Sequence, residues 1–180
     1  MWHPLDAIPV GRRRRVFLPL LALTLVLMAA LGAVDGPLRT AAVPHGIVSF
    51  EVAGDTATAG RKIDPWDARA RQFAAFSLGL DYLFMVAYST TNALGCLWAA
   101  GVFRRAAPGL ATAGPWLAWG QWLAALLDAG ENAALTVLLL GRVADPWPGV
   151  AWWCAVPKFA LITAGLLYAL AAASVRLARR

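Results

Sequence analysis

Charge is scarce in this sequence: 14% of its 180 residues are Asp, Glu, Lys or Arg, against roughly a quarter in a soluble domain. That scarcity, with 60% hydrophobic residues, excludes an ordinary water-soluble globule and places most of the chain in lipid. Cysteine is nearly absent. Cys96 falls late in one apolar run and Cys154 early in another, so at about 1.5 Å of rise per residue they lie ~20 Å apart along the membrane normal. A disulfide needs a Cα separation of roughly 4.4–6.8 Å, so both read as small hydrophobes. No His/Cys ligand spacing, P-loop, dinucleotide fingerprint or nucleophile elbow is present, so no metal or cofactor is expected.

What is there is a set of apolar runs punctuated by arginine. Four stretches reach the ~20 residues that a helix needs to cross hydrocarbon, with spans at about 16–34, 73–103, 115–140 and 150–174 and an outer loop at about 35–72. The expected fold is all-α: one integral membrane domain over 1–180, a four-helix transmembrane bundle with a single extracytoplasmic loop. A net charge of +6 does not indicate a nucleic-acid partner, because the arginines sit at the ends of apolar runs. Arg12 to Arg15, Arg104, Arg105, Arg176, Arg179 and Arg180 fall on one side if all four runs cross. By the positive-inside rule that side is cytoplasmic, giving a multi-pass inner-membrane protein with both termini inside. The opposite side offsets Arg39, Arg61, Lys62, Arg69, Arg71 and Arg142 with Asp35, Glu51, Asp55, Asp64, Asp67 and Asp145.

At the N-terminus "RRVFLPLL" from Arg14 also fits a twin-arginine export signal, with "ALGA" at 30–33 as a cleavage site. The length of the apolar run and the three spans that follow favour a retained anchor. Trp98, Trp116 and Trp119 fall near the inner boundary, and Trp147, Trp152 and Trp153 near the outer one, as amphipathic rings do. Asp64-Pro65 and Asp145-Pro146 each read as an N-cap before a first-turn proline, and Gly114-Pro115 opens the third run. In the outer loop "IVSFEV" alternates Val48, Phe50 and Val52 with Ser49 and Glu51, which predicts a short strand or hairpin. "AGDTATAG" would be its turn.

Inside the spans four charges stand out: Asp81, Asp128, Glu131 and Lys158. Asp128, Glu131 and Asn132 in "LLDAGENAAL" share one helix face at steps of three and four, and Tyr88 and Asn92 follow Asp81 at steps of seven and eleven. Lys158 follows Pro157, which removes a backbone hydrogen bond from its helix. Depth counting puts all four charges between the midplane and the outer surface. An intramembrane ionisable residue costs about 2.5–3.5 kcal/mol on insertion scales, so it faces protein or water and marks a site or pathway.

If all were ionised, three carboxylates against one ammonium would leave the layer at −2. Either carboxyls are protonated, or a cation binds, or water enters. The leading expectation is a site that binds or conducts a small cationic, protonatable or amphipathic ligand, built from Asp81, Asp128, Glu131, Asn132 and Lys158. Tyr88 would frame it and the loop around His45 cover it. A second is an acid–base enzyme on a lipid or isoprenoid, with Glu131 or Asp128 donating a proton and a second carboxylate, such as Asp81, accepting one. The third is an accessory subunit in which Lys158 clasps an acid and fixes helix register. Beyond lipid and such a ligand no partner is indicated, and the oligomeric state is open.

With "SLGLDYLFMVAYS", "LLDAGENAAL" and "WWCAVPKFAL", the chain resembles a group of bacterial four-span membrane proteins of similar length. That resemblance implies the architecture and carries no activity or site residue. More loosely, the arrangement is similar to the sterol isomerase and sigma-2 receptor family, whose four helices surround a lipid-like ligand with membrane-buried acids. The motifs do not match residue by residue.

Overall fold

The computed structural model describes residues 2–179, and nearly all of them are helical. Among the described residues seven α-helices follow in order: α1 (Val10–Val34), α2 (Ile47–Glu51), α3 (Thr56–Ile63), α4 (Ala68–Ala106), α5 (Pro108–Ala111), α6 (Ala113–Leu139) and α7 (Trp147–Ala178). Four helical stretches, Val10–Val34, Ala68–Ala106, Pro108–Leu139 and Trp147–Ala178, are long and apolar enough to cross a membrane. Leucines and valines ring α1 on every side, and Leu27 is the one residue it buries. A helix so exposed and so apolar needs lipid around it. α1, α4 and α7 exceed their expected spans by several residues, and the added turns carry flanking arginines; α6 has none and keeps close to its expected bounds.

The expected strand is absent: among the described residues there is only an isolated bridge between Thr40 and Val43. "IVSFE" is helix α2, which buries Ser49, Phe50 and Glu51 in succession and leaves Val48 and Val52 exposed. A lone strand leaves its backbone groups unpaired, whereas one helical turn satisfies several of them internally. Local side chains do the rest. The Asp35 carboxylate accepts the Ile47 N–H at 2.7 Å and the Arg39 Nε–H at 3.1 Å, and Ser49 Oγ accepts the His45 N–H at 3.0 Å. Lys62 donates to the Ser49 carbonyl. Burial lowers the Lys62 ammonium below its ordinary range.

The expected turn "AGDTATAG" likewise becomes the start of α3. Asp55 is its N-cap, accepting the Thr58 N–H at 2.8 Å, and that bond holds its carboxyl below the usual range. Two expected caps also move. Asp64 ends α3 rather than opening α4, and Asp67 takes that place by accepting the Ala70 N–H at 2.8 Å. Asp145 accepts the Thr56 hydroxyl at 2.9 Å.

The chain divides into two compact units, and each draws on all four long helices. The first comprises residues up to Thr24, Val86–Ala125 and the chain from Lys158 onward. Its core joins Ala93, Cys96, Leu97 and Ala118, and a second cluster joins Ala99, Phe103 and Ala172. The N-terminal segment is tied down here. His3 is fully buried with its ring 4.9 Å from that of Trp119 and 4.6 Å from that of Trp122, and its Nδ1 accepts the Leu5 N–H at 3.2 Å. Asp6 accepts the His3 N–H and pairs with Arg13 at 2.9 Å.

The second unit comprises Leu25–Met85 and Leu126–Pro157. Its core packs the loop residues Leu38, Val43, Phe50, Ile63 and Trp66 against Leu78, Leu135 and Leu138 of the long helices. Trp66 Nε1 donates to the Leu38 carbonyl at 2.9 Å, so the loop is a packed cap rather than a free flap.

Two outcomes follow. Gly46 has φ +55°, and a Cβ there would stand 2.0 Å from Asp35 Oδ1. Gly46→Ala therefore strains the backbone and displaces the carboxylate that holds Ile47, at a cost of ~3 kcal/mol, read as a fall in melting temperature in detergent. Burial lowers the pKa of His3 below its ordinary 6.5, its main cause, with Asp6 opposing more weakly. Docking is then intact above that value. As pH falls through it the released segment takes the proton first, and protonated Nδ1 loses the Leu5 N–H. Proteolysis of residues 2–8 quickens on acidification, whereas His3→Phe removes that pH dependence.

Candidate functional site

Lipid supplies no hydrogen-bond partners, so polar side chains inside spanning helices must turn toward one another. In the second unit α4 and α6 obey this rule. Asn132 Nδ2 donates to Asp81 Oδ2 at 2.7 Å and lies 3.5 Å from the Leu78 carbonyl. An amide N–H only donates and a carboxylate oxygen accepts, so this contact fixes both the flip of Asn132 and the aim of Asp81. One turn on, Thr136 Oγ1 donates to the Asn132 carbonyl at 2.7 Å. From the other flank Tyr82 directs its hydroxyl at the Ala129 carbonyl at 3.4 Å.

Asp128 and Glu131 are buried on α6 beside Asn132, Glu131 completely. The helical steps of three and four that the sequence predicts therefore become one inward face, while Leu126 and Ala133 on other faces are exposed. Asp81 is half-buried. Across the same unit, the position of a Cβ on Gly130 is 3.4 Å from Cys154 Sγ, so α6 and α7 approach closely beside this face. Among the described residues no group of His, Cys, Asp and Glu has the arrangement of a metal site.

The remaining expected site residues are His45, Tyr88 and Lys158. His45 is exposed on the cap, and its backbone rather than its ring makes the contact with Ser49. Tyr88 and Lys158 are buried and belong to the first unit. Lys158 Nζ lies 4.6 Å from the Phe159 ring centre. α7 continues through Pro157 without ending, so the proline is accommodated inside one helix of 32 residues.

A second polar group, in the first unit, was not assigned to the site from the sequence. Gln121 is fully buried; its Oε1 accepts Asn92 Nδ2 at 3.3 Å and its Nε2 donates to the Leu161 carbonyl at 2.8 Å. Gly165 makes room for it, since a Cβ there would be 2.3 Å from Gln121 Nε2. Thr24 and Thr91 add a hydroxyl pair at 3.1 Å. The signal was present in the sequence: Gln121 precedes Asp128 by seven residues, two turns along the same face. In the cap, Asp35 is buried and organises the loop, although from the sequence it read only as a balancing charge.

Compared with protein-family models, with characterised proteins and with solved structures, the chain matches none.

Replacing Asn132 by Leu removes the donor that aims Asp81 while keeping the volume. The expected loss is ~2 kcal/mol, that of a hydrogen bond to a charged group, measured by thermal unfolding in detergent. Asp81→Asn retains a hydrogen-bonding oxygen there and costs less.

Proposed function

We propose that this multi-pass membrane protein binds or conducts a small cationic or protonatable ligand at the acidic face of α6, with Asp81, Asp128 and Glu131 as counter-charges and Asn132 as the residue that positions Asp81. The observation that carries the reading is the Asn132–Asp81 contact at 2.7 Å on the face that also buries Asp128 and Glu131. A structural clasp is complete with one acid and one base. The spanning helices hold three carboxylates and one ammonium, Lys158, so whatever Lys158 neutralises, two acids exceed it. A cation or protons would supply that balance, and buried acids inside spans are costly to keep for packing alone.

Tyr88, Lys158 and His45 enter the reading as positions for the same assay. The arginine bias supports an inner-membrane location with both termini cytoplasmic, the acidic face then opening toward the outer side.

The test is flux and binding in proteoliposomes. With a pH dye inside and a potassium or proton gradient imposed, the wild-type protein is expected to dissipate the gradient at least about tenfold faster than Asp128→Asn/Glu131→Gln; each tenfold step corresponds to roughly 1.4 kcal/mol. Tetraphenylphosphonium binding, followed with a selective electrode, covers the non-conducting case. Equal flux together with equal binding in both proteins would remove this function and leave the acids as structure.

A further inference from the structure

Outside the acidic face, the feature of the first unit that its own packing leaves unexplained is positive charge. Its one side-chain carboxylate is Asp6, and Arg13 takes it at 2.9 Å. Arg104 and Arg105 in the last turn of α4, and Arg176 and Arg179 at the end of α7, thus have no acid within their unit. All four are exposed. They are nevertheless gathered. Arg179 Nη1 donates to the Arg105 carbonyl at 3.2 Å, and beneath that link Phe103 packs against Tyr168 with ring centres 5.1 Å apart. Arg176 sits over Trp98, 5.6 Å from its ring centre.

Helix dipoles account for part of this, since cations favour C-terminal turns. They do not require four guanidinium groups at two adjoining ends. One donor of Arg179 is used by the Arg105 carbonyl, leaving the rest of a five-donor fork, and guanidinium geometry matches the oxygens of a phosphate. Trp98 and the exposed Leu170 and Leu177 place apolar surface beside the arginines, suited to acyl chains rather than to water. A soluble phosphate would use the charge and leave that surface unused.

We propose that the adjoining ends of α4 and α7 form a binding site for an anionic phospholipid, with the head-group phosphate held by Arg104, Arg105, Arg176 and Arg179 and the acyl chains lying along Leu170 and Leu177. Each arginine near an anionic head group is worth about a 5.5-fold factor in binding, so removing two lowers affinity about thirtyfold.

Purified full-length protein in a non-ionic detergent is titrated with short-chain phosphatidylglycerol, with phosphatidylcholine of the same chains, and with inorganic phosphate, following the melting temperature. Phosphatidylglycerol is expected to raise it at concentrations where the other two do not, and Arg105→Gln/Arg176→Gln to shift the half-effect concentration about thirtyfold upward. Should that variant not fold, mass spectrometry of lipid retained by the wild-type protein decides: enrichment of anionic over zwitterionic lipid relative to the membrane of origin supports the site. Equal stabilisation by both lipids, protection by inorganic phosphate alone, an unshifted variant or no enrichment overturns it.

Discussion

The contact on which the acidic face depends is the hydrogen bond from Asn132 to Asp81. In hydrocarbon an unpaired amide or carboxylate has no water to fall back on, so a polar group on one helix dictates what its neighbour must present. Asn132 on α6 and Asp81 on α4 meet that demand for each other and thereby fix the rotation of both helices in the second unit. The exposed faces are then left to leucine, alanine and valine, such as Leu126 and Leu83. Gln121 plays the same part in the first unit, joining Asn92 on α4 to the Leu161 carbonyl on α7.

The loop between α1 and α4 shows the constraint at the water boundary. Its backbone has no sheet to join, so it closes on itself in one-turn and two-turn helices held by side chains: Asp35 on Ile47, Ser49 on His45, Asp55 on Thr58. Phe50 and Trp66, packed edge to face, give the cap its own core. The cap leaves His45 exposed.

Charge is used in two distinct ways. Inside the long helices Asp128, Glu131 and Lys158 are buried, where a charge needs a compensating partner. At the ends of α4 and α7 the arginines are exposed and gather without acids in their unit. Both follow from the dielectric boundary: the same charge is tolerated at the interface and must be compensated within the bilayer.

By itself the sequence determined the four helices long and apolar enough to cross a membrane, because a predominantly apolar run of about twenty residues has no other stable form in lipid. It also determined that Asp128, Glu131 and Asn132 share a face, because helical periodicity settles that without any neighbour. The tertiary structure alone decided which partner each polar group takes. Asn132 meets Asp81, Gln121 meets Asn92, and Asp35 reaches Ile47 across twelve residues, and none of these pairings is encoded in local spacing. It likewise decided that "IVSFE" is a helix. Alternation describes a strand only when a second strand is there to pair with it, and here the nearest hydrogen-bonding partners belong to the segment's own turn and to Asp35, Ser49 and Lys62.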